Sequence, residues 1–337
     1  MFLAEQHDYR VHLDAIRSLM ARLVGQWAAQ WADAVPLGAA VSRQLARRGK
    51  GYRPTMALAV CNLLSSDPTR AYPAAASAEI YHTASLIFDD VEDNSDRRDG
   101  GAAVHATAGV STAINVAGVI RSLSYHAIES SDDLTDAEKY ALCRRLDRTS
   151  TVIPIGQGID IGWHLGWYKS ILDFPYEAMV AMKTGALFGY AAWGAAVAGS
   201  AGSPLIDRIA DLGTEIGSLY QLIDDVADTF APGSDLPDDV RDGKVTYPVI
   251  LLVRALDRNG RGAVAAELFD SARTRQWNST DHERLLSLLA ELGIESMARR
   301  DLHRRLDVAV ERIEWIRSTA GGGSDLSSFV SSWHDLV

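Results

Sequence analysis

Two acidic clusters, Asp89-Asp90-Val91-Glu92-Asp93 and Asp224-Asp225-Val226-Ala227-Asp228, share the spacing Asp-Asp-x-x-Asp, and each follows an apolar run. In a helix, residues i and i+4 share a face, so Asp89 projects with Asp93 and Asp224 with Asp228. Like charges so placed destabilise an isolated helix by roughly 0.2–0.5 kcal/mol per pair. Repeating that cost at two places calls for a compensating cation. Hard oxygen donors with no accompanying His or Cys suit magnesium, which commonly bridges a few carboxylates to substrate phosphates. One such cluster reads equally well as a solvated acidic helix end; two matched clusters point to a metal-dependent site for a phosphorylated ligand.

Cations and donors accompany the acids. His82 lies seven residues before Asp89, two helical turns away and on the same face, which suits an anion-binding role as well as an ordinary core histidine. Arg97 and Arg98 carry guanidinium groups suited to bidentate phosphate contacts; alone they read as surface charge. Gln221 shares a helical face with Asp224 and Asp228, and Gly243-Lys244-Val245-Thr246-Tyr247-Pro248 follows after a polar loop. The loop acids Asp235, Asp238, Asp239 and Asp242 are expected to face solvent. Gly49-Lys50-Gly51-Tyr52-Arg53-Pro54 leads into a helix with Pro near its first turn. Lys183-Thr184-Gly185 interrupts an apolar helix, and a buried ammonium there needs a partner, either a bound phosphate or a neighbouring carboxylate.

Helical periodicity runs through 9–31, 55–64, 74–88, 177–198, 205–230, 245–256, 282–292 and 294–316. β-branched alternation is scarce, and no low-complexity linker divides the chain. These features predict an all-α protein, a single large helical bundle over 1–337. The 337 residues, 47% apolar, suffice for a sizeable core. A net charge of −11 argues against a general nucleic-acid binder. Cys61 and Cys143 lack metal-type spacing, and the first five residues lack a signal-peptide pattern, so a reducing cytoplasm is the expectation. The uncharged stretch 184–206 is long enough to span a bilayer, but it is rich in Ala and Gly and breaks at Gly199-Ser200-Ala201-Gly202-Ser203-Pro204. A closely packed core helix explains it better, with no transmembrane segment.

Five ordered features, Gly-Lys-x-x-Arg-Pro at 49–54, the two Asp clusters, Lys183-Thr184-Gly185 and Gly-Lys-x-Thr-x-Pro at 243–248, resemble the trans-isoprenyl diphosphate synthases of the polyprenyl synthetase family, with geranylgeranyl diphosphate synthases the nearest in pattern. Gly156-Gln157-Gly158-Ile159-Asp160 is similar to the family's central Gly-Gln segment. The resemblance implies an isoprenoid-synthase bundle around a deep central cavity, acting as a homodimer. It implies magnesium, three ions with bound diphosphate, held by Asp89, Asp93 and Asp224. Asp90, Asp225 and Asp228 would be further ligands or act through metal-bound water. Lys183, Thr184, Gln221, Lys244 and one of Arg97 and Arg98 would hold an allylic diphosphate; Lys50, Arg53 and His82 would hold isopentenyl diphosphate. In such a reaction cations stabilise the departing diphosphate, an apolar cavity keeps water from the carbocation, and the isopentenyl double bond attacks it.

Two places depart from the family pattern. Family members carry two arginines immediately before Gly, whereas this chain reads Arg97-Arg98-Asp99-Gly100. Without a gap Asp99 takes the second arginine's place and would repel isopentenyl diphosphate; with a one-residue shift both arginines serve. The segment Ala113-Ile114-Asn115-Val116-Ala117-Gly118 resembles geranylgeranyl diphosphate synthases, but Val119, Ile120, Arg121 and Ser122 stand where bulky aromatics close the family's product cavity. Ala84 and Ser85 lie five and four residues before Asp89, roughly 6–7 Å along the helix. Their small size leaves room for a tail, so a product longer than fifteen carbons is expected, with Ile120 and Arg121 at the pocket floor. Asp99 motivates an alternative enzyme that cyclises the cation or transfers it to another acceptor. A noncatalytic partner subunit is the third reading, disfavoured by the retained acids and Lys244.

Overall fold

Pro73 in the first turn and Asn94 just beyond the last bound the helix that carries the first acidic cluster, the proline pre-set for helix entry and the asparagine taking the left-handed φ of 54° that ends it. The computed structural model describes residues 7–31, 35–47, 49–231, 243–273 and 278–337. Asp235, Asp238, Asp239, Asp242 and the first five residues lie outside the described residues. Helices account for nearly all the described structure: α1 His7–Gln30, α2 Val35–Leu45, α3 Tyr52–Leu63, α4 Tyr72–Glu92, α5 Val104–Ala108, α6 Val110–Glu129, α7 Asp136–His164, α8 Tyr176–Val180, α9 Ala186–Ala198, α10 Ser203–Thr229, α11 Tyr247–Arg258, α12 Gly262–Arg273, α13 Ser279–Glu291, α14 Ile294–Ala320 and α15 Asp325–Ser331. The all-α expectation is met. The uncharged 184–206 stretch breaks between α9 and α10, and no described helix is long and apolar enough to cross a membrane.

The chain forms two compact units, one from 1–148, 187–213 and 315–329, the other from 149–186, 214–314 and 330–337. In the first, α4 packs chiefly against α6 and α3. Ile80, Ala84 and Ile87 of α4 and Ala113, Val116, Ala117 and Ile120 of α6 are buried, and their many small side chains let the helices approach closely. In the second, α11 packs on α12 and α13. One face of α14 is an apolar stripe of Ile294, Ala298, Leu302, Leu306, Ala309 and Ile313, each fully buried at 0% exposure. Asn278 and Asp281 close a reciprocal capping box at the start of α13.

Candidate active site

Helix α4 ends at Glu92, so the carboxylates of Asp89, Asp90 and Asp93 gather at its C-terminus. Negative charge is unfavourable there, where the helix dipole is itself negative. The chain answers by turning back. Arg97–Arg98 pairs antiparallel with Gly101–Ala102 around Asp99 and Gly100, whose φ values are 49° and 76°. Positive φ at both central residues is the type I′ hairpin turn, for which Asp-Gly is a favoured pair. Asp99 is exposed at its tip, and Arg97 donates to the Gly100 carbonyl at 2.9 Å. Arg98 reaches inward: Nε donates to Asp90 Oδ1 at 2.7 Å and Nη2 to Asp89 Oδ2 at 3.0 Å. Burial pushes the Asp90 carboxyl up, against the pull of Arg98, while Asp90 and Asp89 raise the Arg98 guanidinium against its own burial.

His82, two turns earlier on α4, is held well below the usual histidine range by burial and then by Arg53 and Arg98. It is therefore a neutral imidazole at pH 7, a hydrogen-bond donor without charge. Arg53 is buried at 9% exposure, with its guanidinium 4.7 Å from the centre of the Phe188 ring. Lys50 is exposed. Of the expected pocket residues, Ala84 (1% exposed) and Ile120 (0%) sit in the core of this unit, and Ser85 is half-buried, its Oγ donating to the His82 carbonyl at 2.9 Å. Arg121 is turned outward by the 100° step from Ile120. It is exposed and lines a surface groove of about 800 Å³ with Trp27, Trp31, Phe88, Gly118 and His126. An arginine there is solvated, which removes the oddity of a charge at an apolar floor.

The second unit gathers more of the expected residues. Lys183, Thr184, Gln221, Asp225 and Lys244 line one small polar cleft of about 50 Å³ together with Asp160. Lys183-Thr184-Gly185 falls on a π turn, Ala181–Gly185, a helical irregularity that recurs at functional sites. A Cβ on Gly185 would meet the Thr214 carbonyl and Ser218 Oγ, both at 2.7 Å, so only glycine lets this turn lie against α10. The Lys183 ammonium has the carboxylate of Asp160 as partner, Nζ to Oδ2 at 2.7 Å. Thr184 Oγ1 donates to Gln221 Oε1, and Gln221 Nε2 to Asp225 Oδ1, each at 2.9 Å. Asp225 is buried at 8% exposure, whereas Asp224 is half-buried and Asp228 exposed. The amide of Gln157, 8% exposed, has no protein partner at either end among the described residues.

Among the described residues no three His, Cys, Asp or Glu side chains converge as a ready-made metal cage. Magnesium fits such a donor set, because it takes one or two carboxylates and completes its octahedron with waters and substrate phosphate. Asp89 and Asp93 on the first cluster, and Asp224 on the second, are each partly accessible, as a carboxylate that binds such an ion must be.

Sequence reasoning missed the supports of the site. Tyr176 donates to Asp225 Oδ2 at 2.5 Å, and the Tyr247 backbone N–H donates to the same oxygen at 2.8 Å. Trp163 Nε1 donates to the Gly243 carbonyl at 3.1 Å, holding the start of the Lys244 segment. Nothing in the spacing announces these long-range pairs; only Asp160, inside the Gly-Gln segment, had a local signal. Tyr247 is also tied at its hydroxyl to Asp301 Oδ2, 2.5 Å away. Burial would raise the Asp301 carboxyl, but hydrogen bonds from Tyr247, Arg304 and Arg305 bring it down to about 2. A carboxyl lowered from about 3.9 in the unfolded chain stabilises the fold above that pH and loses its contribution as pH falls through its folded value. The stability difference between wild type and Asp301→Asn is therefore expected to be full at pH 6 and to shrink between about pH 4 and 2. Urea unfolding across that range checks it; a difference constant with pH refutes it.

The sequence pattern of the polyprenyl synthetase family matches residues 36–279. A short chain isoprenyl diphosphate synthase of Methanothermobacter thermautotrophicus is 30% identical over 78% of this chain and 86% of its own length. A geranylfarnesyl diphosphate synthase of Aeropyrum pernix is 29% identical over 77% of this chain and 82% of its own. The fold is that of the geranylgeranyl pyrophosphate synthetase of Pyrococcus horikoshii, with a TM-score of 0.79 at 22% identity over 98% of this chain and 99% of that one. With its acidic clusters and its lysine-lined cleft in the matched region, the chain belongs to the polyprenyl synthetase family and is a trans-prenyltransferase.

Proposed function

We propose that the protein is a magnesium-dependent prenyltransferase that joins an allylic diphosphate to isopentenyl diphosphate, with geranylgeranyl diphosphate as its product. The observation that carries this reading is the convergence of Lys183, Thr184, Gln221 and Lys244 on one polar cleft beside the second acidic cluster. Cationic and hydroxyl donors at that density suit a diphosphate. Asp89 and Asp93 on the first cluster, and Asp224 on the second, would hold magnesium ions, with Asp90 and Asp228 in support and Asp225 kept by its own hydrogen bonds; the ions would neutralise charge developing on the leaving diphosphate. Lys183 exchanges Asp160 for a phosphate oxygen, and Lys244 and Thr184 orient the diphosphate. Lys50, Arg53 and the neutral N–H of His82 hold isopentenyl diphosphate. In this reading 1–337 acts as a single domain, as a homodimer in the cytoplasm. The exposed turn accounts for Asp99 through backbone geometry, which weakens the motive for a different acceptor.

The test is incubation with magnesium and allylic diphosphates of five, ten, fifteen and twenty carbons, each with and without isopentenyl diphosphate. Elongation requiring both magnesium and isopentenyl diphosphate is expected; diphosphate release with cyclised or alcohol products in its absence supports the alternative, and no turnover refutes both. Relatives named as geranylgeranyl and geranylfarnesyl diphosphate synthases support a product beyond fifteen carbons. Ser85 is half-buried, whereas Ala84 is enclosed. Ser85→Phe is expected to remain folded and to release shorter products, while Ala84→Phe loses stability by overpacking. An unchanged product distribution from folded Ser85→Phe removes this residue from the tail's path.

A further inference from the structure

Asp225 is the middle acid of the second cluster, yet its carboxylate is turned into the protein. Its two oxygens accept from three segments: Gln221 one turn back on α10 at 2.9 Å, Tyr176 at the start of α8 at 2.5 Å, and the N–H of Tyr247, the first residue of α11, at 2.8 Å. Thr246, the residue before α11, makes no side-chain cap, so Asp225 satisfies an open donor at that helix's positive end. Tyr176 is fully buried at 0% exposure and its ring stacks on that of Tyr247, centroids 6.2 Å apart at 22°. Tyr176 is also seven residues ahead of Lys183 on the same run of helix.

These contacts give one phenol an unusual reach. The buried Leu219, Leu222, Ile223 and Val226 set which face of α10 lies inward, and the hydrogen bonds on Asp225 hold its rotation at the cluster more closely. Pinning Asp225 therefore steadies the direction in which Asp224 and Asp228, the i and i+4 pair, project. The same carboxylate draws in the start of α11, three residues after Lys244. We propose that Tyr176 is a positioning residue for diphosphate and magnesium: by holding Asp225 it orders the second acidic cluster, the Lys183 turn and the Lys244 segment relative to one another before ligand arrives. This rests on the function proposed above. Loss of the hydroxyl leaves Asp225 short of one donor and loosens the cluster end of α10, so the ligand must pay the ordering entropy on binding.

The experiment compares wild type, Tyr176→Phe and Tyr190→Phe by calorimetry with inorganic pyrophosphate at several magnesium concentrations, alongside melting temperature. Tyr190 is the matched control: its buried hydroxyl shares a 2.6 Å hydrogen bond with Ser77 Oγ in the other unit. Both variants are expected to melt somewhat lower. Only Tyr176→Phe should weaken magnesium-dependent pyrophosphate binding, by about tenfold, and raise the magnesium needed for half-saturation. In steady state its KM for the allylic diphosphate should rise more than kcat falls. A cycle with Asp225→Asn adds a second reading: the two substitutions should be strongly non-additive in pyrophosphate affinity. Equal binding by wild type and Tyr176→Phe, or additive effects in the cycle, overturns the proposal. Absence of magnesium-dependent pyrophosphate binding in wild type instead overturns the function on which it rests.

Discussion

Asp89→Ala and Asp224→Ala are each expected to lower turnover by roughly a thousandfold, the scale on which loss of one preorganised charge-stabilising group is felt, while leaving helical content and melting temperature close to wild type. Asp89 and Asp224 are partly accessible and belong to clusters whose mutual repulsion opposes folding, so removing one relieves repulsion. Asp89 also accepts a hydrogen bond from Arg98 at 3.0 Å, but Asp90 keeps that guanidinium through its own 2.7 Å bond. Activity is measured as magnesium-dependent diphosphate release, and folding by circular dichroism. Near-normal turnover in either folded variant removes that cluster from the catalytic metal site. Asp225→Ala should behave differently, losing stability together with activity, because the buried Tyr176 hydroxyl and Tyr247 N–H and the half-buried Gln221 amide lose their acceptor.

Gly156 and Gly158, two residues apart on α7, are expected to respond to substitution with opposite signs. A Cβ at Gly156 would stand 2.5 Å from the Lys183 backbone nitrogen and 2.8 Å from Met182 Cβ. Those atoms belong to the π turn and cannot step aside without moving Lys183. At Gly158 nothing lies within 4 Å. Alanine in a helix interior is favoured over glycine by about 1 kcal/mol, so Gly158→Ala should stabilise by up to that amount. At Gly156 overpacking, typically about 1–3 kcal/mol, outweighs the helix gain for alanine and grows for Gly156→Val. Pyrophosphate affinity should fall with Gly156→Val and hold with Gly158→Ala. Chemical denaturation of the variants measures the signs; stabilisation by Gly156→Ala would show that α7 and the π turn are not held as closely as the geometry requires.

How the elements were legible depends on what their residues had to do locally. α14 and α10 place apolar residues at helical spacing along one face, and their boundaries are close to those expected from periodicity. α6 and α7 escaped the periodicity reading. α7, at 29 residues, contains Pro154 and three glycines, and its apolar residues are spread around the helix, so no stripe marks it. Its backbone is helical because packing overrides local propensity. The Asp99-Gly100 pair carries the type I′ turn signal, but the two-residue strands that flank it are too short to show alternation.

Residue types and their spacing sufficed for the all-α class, the family, the acidic clusters and the lysines that line the cleft, because i, i+4 geometry and short motifs are local properties of the chain. Tertiary structure decided the rest. It chose Asp160 as the partner of Lys183, turned Arg98 rather than Arg97 onto the first cluster, buried Asp225 while leaving Asp228 exposed, and sent Arg121 outward beside a buried Ile120. Each of these turns on which segments, distant along the chain, come to lie together. Tyr176 and Asp225 are 49 positions apart and Lys183 and Asp160 are 23, separations at which no periodicity carries information and only the packing of whole helices selects the partner.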